Sequence, residues 1–313
     1  MVGSDFALEG QRVLVTGGSG NLGGEIACAL AKHNTVYGSA RFGKPADRAY
    51  VEKAGVIPVV HTLGTDPLSA LPPDIDYIFN FGAILPSGTT KSASTVDAPM
   101  EMVGRVNSLI QGEMMRHWPR LKGFVQASSS TVYQYQPKPL SEDDPVGANF
   151  GVYSATKYAG EMVATFAASL YEIPTLILRI FHSYGPRGGP VTDRLKLIAS
   201  GQAVPVRAPG PNICCPLYSE DFLRIALNAL GQATPAALVM NIGGEPVTQE
   251  DYVAMIGKQL GVEPKFAPNP AMNPSPQADL TKMKRIGGRP RISVEEGIRR
   301  AIAFNFPEGF RPR

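Results

Sequence analysis

The stretch Val13-Leu14-Val15-Thr16-Gly17-Gly18-Ser19-Gly20-Asn21-Leu22-Gly23 decides the fold. Val13 to Val15 is a short apolar, β-branched run and predicts a buried strand, Thr16 to Gly20 is a turn cluster, and from Leu22 to Leu30 apolar residues recur at helical spacing. Strand, glycine turn and helix in that order aim the unsatisfied N–H groups of a helix N-terminus at a phosphate. Gly17 lets the chain turn, Gly20 lets backbone approach a pyrophosphate, and Gly23 lets the helix pack on the strand. Three glycines also occur in plain structural turns; the position between a strand and a helix favours a dinucleotide site.

Outward from there, Thr35 to Ala40 predicts a second parallel strand. No acidic residue closes it. Arg41, Lys44 and Arg48 follow, and a guanidinium can pair with a ribose 2′-phosphate, so the pattern favours NADP over NAD; a solvated basic turn is the plain alternative. Val56 to Val60 is a third strand ending near Thr62 and Leu63, where an adenine ring would lie, with His61 read as a loop histidine. Asp76 to Ala83 is a fourth, running into Phe81-Gly82-Ala83, where small residues let a cofactor lie against the backbone. Ile84, Leu85 and Pro86 form a candidate apolar substrate wall. Pro99 to Trp118 predicts one long helix whose methionine-rich stripe is core or a subunit seam; Asn107 inside it either faces solvent or makes a specific buried bond.

The chain of 313 residues, 43% hydrophobic and 18% charged, has the composition of an ordinary globular protein, long enough for one large α/β domain with an appended lobe. A net charge of +3 gives no argument for nucleic acid or a membrane surface. No apolar run reaches the roughly 18 residues that span a bilayer. Met1 to Gly10 has no basic and apolar leader pattern. No CxxC pair or His cluster points to a metal, and the adjacent Cys214 and Cys215 favour free thiols in a reducing, cytoplasmic setting.

Gly123 to Ala127 predicts a fifth strand, and Ser128-Ser129-Ser130-Thr131-Val132-Tyr133 follows its C-terminal end. Tyr153 and Lys157, four apart at the start of another helix, share one face. An ammonium near a phenol stabilises phenolate and lowers its pKa from about 10, so the tyrosine can exchange a proton near neutral pH, while Ser129 holds the substrate oxygen. An incidental Tyr and Lys on a surface helix is the alternative.

Thr-Gly-x-x-Gly-x-x-Gly at 16–23, the serine cluster before Val132-Tyr133, and Tyr-x-x-x-Lys at 153–157 together resemble the extended short-chain dehydrogenase/reductase family, also called the NAD-dependent epimerase/dehydratase family. The likeness runs on through Asn107, Leu178 to Arg187, and Gly287 to Gly297. It implies an α/β, Rossmann-type doubly wound parallel sheet with a smaller, discontinuous C-terminal substrate lobe. Residues 1–181 plus about 223–261 would form the dinucleotide-binding domain, and about 182–222 plus 262–313 the lobe. By the same likeness Tyr153 is the general acid/base, Lys157 binds the nicotinamide ribose, Ser129 is the polarising serine, and Asn107 has a proton-relay or helix-positioning role. Asn21, Leu22, Phe181 and Ser183 join the cofactor site; Leu85, Ser130, His182, Cys214 and Tyr218 line the substrate pocket.

Relatives acting on nucleotide-diphosphate sugars hold the diphosphate with arginines. Here one such position is Cys214, Ser275-Pro276-Gln277-Ala278 before Asp279 carry no positive charge, and the Asn of Asn-x-Tyr-Gly-Pro is His182; Arg187, Arg194 and Arg207 could substitute in part. The expectation is therefore an NADP- or NAD-dependent oxidoreductase interconverting a hydroxyl and a carbonyl on a small non-nucleotide substrate. The alternative is an NAD-dependent sugar epimerase or dehydratase that recycles its cofactor internally. Retention of Tyr153 and Lys157 speaks against a non-catalytic sensor. A homodimer is expected through the helix after Tyr153 (Ala164, Phe166, Ala167, Leu170) and the methionine-rich helix.

Overall fold

In a computed structural model, β1 (Arg12–Thr16) is central to a sheet whose side chains alternate between two cores: Val13 and Val15 face one, Leu14 the other. The structure describes residues 6–85, 98–147 and 151–311; Pro86 lies outside them. β2 (Thr35–Ala40), β3 (Ile57–Val60), β4 (Tyr77–Asn80), β5 (Gly123–Ala127), β6 (Thr175–Phe181) and β7 (Leu238–Gly243) complete the sheet. The order is β3-β2-β1-β4-β5-β6-β7, all parallel, the doubly wound arrangement with its crevice at the strands' C-terminal ends. β1, β4, β5 and β6 are largely buried on both faces because helices cover both.

One face is covered by α1 (Asn21–Leu30), α2 (Pro45–Lys53) and α7 (Ser219–Leu230). The other is covered by α4 (Ile110–His117) and α5 (Val152–Leu170). The single helix expected over 99–118 is instead α3 (Met100–Gly104), a π-helical turn (Arg105–Leu109) and α4. Its methionines divide: Met114 and Met115 are core, Met100 is exposed.

The small lobe is built from α6 (Pro190–Ala199), α8 (Gln249–Leu260) and α10 (Val294–Asn305) around Val191, Leu195, Tyr252, Ile256 and Ile298. This alters the expected boundaries. α8 turns Tyr252, Val253, Ile256 and Leu260 into the lobe core and not toward the sheet, although it falls within 223–261. Conversely α9 (Thr281–Ile286) sends Met283 into the sheet's core from within 262–313.

Candidate active site

The turn after β1 is built as its glycines require. Gly17 has φ +67°, and a Cβ at Gly23 would lie 2.5 Å from the Gly17 carbonyl oxygen. α1 starts at Gly20 without a capping side chain and without an acidic residue in its first turn, so the N–H groups at Asn21 and Leu22 are available to an anion. Arg187 reaches over this turn. It donates to the Ser19 and Gly20 carbonyls (3.3 Å each), pairs with Asp47 at 2.5 Å, and lies over the Tyr50 ring, so it is committed to the turn and not to a substrate. Arg207 is spent locally, donating to the Pro209 carbonyl at 2.9 Å. Arg41 is exposed past the end of β2. Thr62 donates its N–H to Asp66 (2.6 Å), and Leu63 packs on Gly82.

A buried polar chain, which sequence reasoning missed, links this turn to Lys157. The Gly82 N–H donates to Thr16 Oγ1 (3.0 Å), the Thr16 hydroxyl to Asn80 Oδ1 (2.5 Å), Asn80 Nδ2 to Gln126 Oε1 (2.8 Å), and Gln126 Nε2 to the Ala127 carbonyl (2.9 Å). That carbonyl also accepts from Lys157 Nζ. Phe81 and Ala83 flank Gly82, half-buried, with the Phe81 ring tilted on Phe222.

α5 presents Tyr153, Lys157 and Glu161 at intervals of four along one face. The Tyr153 phenol lies beside the Ser129 hydroxyl. Burial pushes its pKa above the ordinary value, and the Ser129 hydrogen bond only partly opposes that. The expected acidification by Lys157 is therefore corrected. The lysine is sealed (3% exposed), held on the Ala127 carbonyl, and burial takes its own pKa down to about 8 against the pull of Glu161. Ser129 Oγ also accepts from the Thr131 N–H (3.2 Å), and Ser130 is buried in the short turn that follows.

Behind Lys157, Glu161 takes the Arg179 guanidinium side-on (Nε 3.0 Å, Nη2 2.8 Å) and a bond from the Ser128 hydroxyl, all buried. Arg179 also covers the Tyr133 ring at 4.7 Å. Glu161 could have been found by carrying the Tyr153–Lys157 spacing one turn further.

Asn107 makes its buried bonds from the π turn. Its Oδ1 accepts from the Ile84 N–H (2.8 Å), and its Nδ2 donates to the Ile84 carbonyl (3.0 Å) and to Thr156 Oγ1 (3.2 Å). It thus clasps the β4 exit to α5 one residue before Lys157. Gly160 is required there, since a Cβ would come 2.4 Å from the Asn107 carbonyl oxygen. Leu85, just past the clasp, is 62% exposed.

The lobe residues separate. His182, with φ +56°, stands at the end of β6; its Nδ1 accepts from the Cys215 N–H (3.4 Å), and burial, then Arg194, lowers its pKa to about 4. Ser183 is half-buried beside it in a short pairing with Leu217. Phe181 buries its ring against Tyr133, so it can meet a ligand through main chain only. Cys214, expected in the pocket, is buried in the lobe core, donating to the Val247 carbonyl (3.4 Å) with its thiol pushed up to about 12. Tyr218 packs edge-on against Tyr184 and lines a cavity of about 550 Å³ between α1 and α7, away from the Ser129–Tyr153 group.

Comparison with known proteins follows the same lines. A UDP-glucuronate 4-epimerase of Thermodesulfobacterium geofontis is 27% identical over 216 residues, 65% of this chain; the chain spans 64% of that relative's length. A UDP-N-acetyl-alpha-D-glucosaminuronate decarboxylase of Bacillus cytotoxicus is 25% identical over 320 residues, covering 94% of this chain and 97% of the relative. The crystal structure of UDP-glucuronic acid 4-epimerase from Bacillus cereus in complex with NAD superposes with a TM-score of 0.79 at 23% identity, over 95% of this chain and 98% of that one. No helix among the described residues is long and apolar enough to cross a membrane. The model of the NAD dependent epimerase/dehydratase family matches residues 13–243, and the chain belongs to that family.

Proposed function

We propose that the protein interconverts a hydroxyl and a carbonyl on a small molecule with a nicotinamide dinucleotide as redox partner, Tyr153 exchanging the proton and Ser129 holding the substrate oxygen. The carrying observation is the Tyr153 phenol beside the Ser129 hydroxyl, one helical turn from a lysine fixed at the C-terminal end of β5. A phenol held above its ordinary pKa keeps its proton at neutral pH, which suits donation to a carbonyl oxygen. Lys157 orients the ribose end of the site, and Asn107 holds the Ile84 backbone in register with α5.

The close-packed turn and the uncapped α1 fit a pyrophosphate, with Gly17, Gly20, Asn21, Leu22 and Gly23 around it. Thr62 and Leu63 would flank the adenine, and Phe81, Gly82, Ala83, Ser183 and the Phe181 main chain the other half. When bound, the dinucleotide supplies the hydride acceptor or donor. Arg41 supports NADP; the name of the Bacillus cereus complex favours NAD. A cytoplasmic homodimer completes the proposal, supported by Met162 (60%), Phe166 (70%) and Leu170 (57%) exposed in a row on α5; Ala164 and Ala167 are internal.

A second reading, an epimerase or dehydratase acting on a nucleotide sugar, is favoured by the names of the relatives. Cofactor released from the purified protein separates the two: tightly retained NAD supports the second, exchangeable NADP the first. For either, Tyr153→Phe should lower turnover by roughly 100-fold or more. An undiminished rate would remove Tyr153 from the chemistry.

A further inference from the structure

The small lobe and the glycine turn meet through reciprocal gaps. On α1, Gly24 leaves the space that Arg187 fills, since a Cβ there would stand 2.5 Å from Nη1. On the other side, Gly188 leaves the space that Asn21 fills, since a Cβ there would stand 2.1 Å from Asn21 Nδ2. The backbone behind Arg187 is anchored to the lobe helices. The Pro186 carbonyl accepts from Asn305 of α10 (2.8 Å), and the Arg187 carbonyl from Lys196 of α6 (2.7 Å). A fixed backbone and a filled gap leave the guanidinium little freedom.

What the guanidinium meets there is an acid. Nη2 donates both to the Ser19 carbonyl (3.3 Å) and to Asp47 Oδ1 (2.5 Å), so the carboxylate lies against the turn. Gly18, one residue before Ser19, packs on the end of β2: its N–H donates to the Ser39 carbonyl (3.0 Å), and a Cβ would stand 2.8 Å from Gly38 Cα. In a doubly wound sheet the junction of the first turn with the second strand receives an adenosine ribose, where a carboxylate accepts a 2′-OH and repels a 2′-phosphate. Asp47 is the one acid in the segment 41–48. Arg41 and Lys44 are exposed, Arg48 is held by Glu52 at 2.9 Å, and Asp47 is paired with Arg187. An acid in the first turn of α2 suits that helix's dipole. The arginine cancels what the same acid would do to a ligand.

We propose that Arg187 is a specificity-determining residue for the dinucleotide: by pairing with Asp47 it masks the acid at the ribose edge, so the choice between NADP and NAD is set from the lobe as well as from the end of β2. This rests on the dinucleotide reading given above. The test is calorimetric titration of the full chain at low salt with NADP and with NAD, for wild type, Arg187→Met, Arg187→Lys, Asp47→Asn and the double variant Arg187→Met/Asp47→Asn. Arg187→Met bares the acid and should weaken NADP roughly 10-fold relative to NAD. Arg187→Lys keeps a charge on Asp47 and should hold the wild-type ratio. Adding Asp47→Asn to Arg187→Met should restore that ratio, which loss of a merely structural strap would not allow. Asp47→Asn alone leaves the arginine unopposed and should tighten NADP relative to NAD several-fold; should Arg187→Met fail to fold, this variant decides. Equal weakening of both dinucleotides in Arg187→Met, an unmoved ratio in Asp47→Asn, or a wild type that binds NAD and not NADP overturns the proposal and leaves the dinucleotide reading standing. A wild type that binds neither removes both.

Discussion

The edge of the sheet and the small lobe treat buried charge in opposite ways. At the C-terminal edge of the sheet three buried charges are paired: Lys157 on the Ala127 carbonyl, Glu161 between Ser128 and Arg179, Arg179 capped by the Glu142 carbonyl. In the lobe Arg194 has one bond to its own helix, and its buried Nε has no partner. The difference separates a paired network at the C-terminal edge of the sheet from a lobe arginine whose buried Nε is left without a partner. Fully paired networks rigidify, whereas an unpaired cation weakens the fold while favouring an anion.

The comparison breaks most readily at Glu161. Glu161→Ala strands Arg179 and Ser128 in the core and should destabilise by about 3–5 kcal/mol in urea unfolding; a loss under 1 kcal/mol would mean the sheet edge is no more dependent on pairing than the lobe. Lys157 gives the next effect. Below pH 8 the lysine is protonated folded and unfolded, and the fold bears the burial of its charge. From about pH 8 to 10.5 the folded form loses its proton first, so stability relative to Lys157→Met should rise with pH, by about 3 kcal/mol over that span. A flat difference between the two proteins would place the lysine's compensation in Glu161. Smallest is Arg194→Met, which removes a buried N–H without a partner and should leave stability within about 0.5 kcal/mol or raise it slightly; a loss comparable to that of Glu161→Ala would erase the distinction.

Local patterns were readable in the chain and directional ones were not. Val13 to Val15, the glycine turn and the Leu22–Leu30 spacing are short-range signals, and they fold as read. The Tyr153–Lys157 spacing was legible too, but the environment was not: burial, which depends on the whole fold, outweighs the Ser129 hydrogen bond and lifts the phenol. Cys214 and Tyr218 occupy positions that a resemblance assigns to a pocket, yet which way a side chain points depends on packing, and both turn inward. α8 carries an apolar stripe that could serve either domain; only the tertiary fold directs it to α6 and α10. The Glu161–Arg179 pair spans 18 residues between a helix and a strand, beyond any local pattern.

The π turn at Arg105–Leu109 has a consequence for how this helix can change. It holds one residue more than an α register would, and deleting any one of the five would heal the helix. Residues beyond the repair would keep their packing, while those before it would swing by about 100°. The repaired helix would gain regularity and lose its grip on Ile84. The irregularity therefore behaves as an insertion that improves the active edge at the helix's expense, and selection on stability alone would tend to remove it.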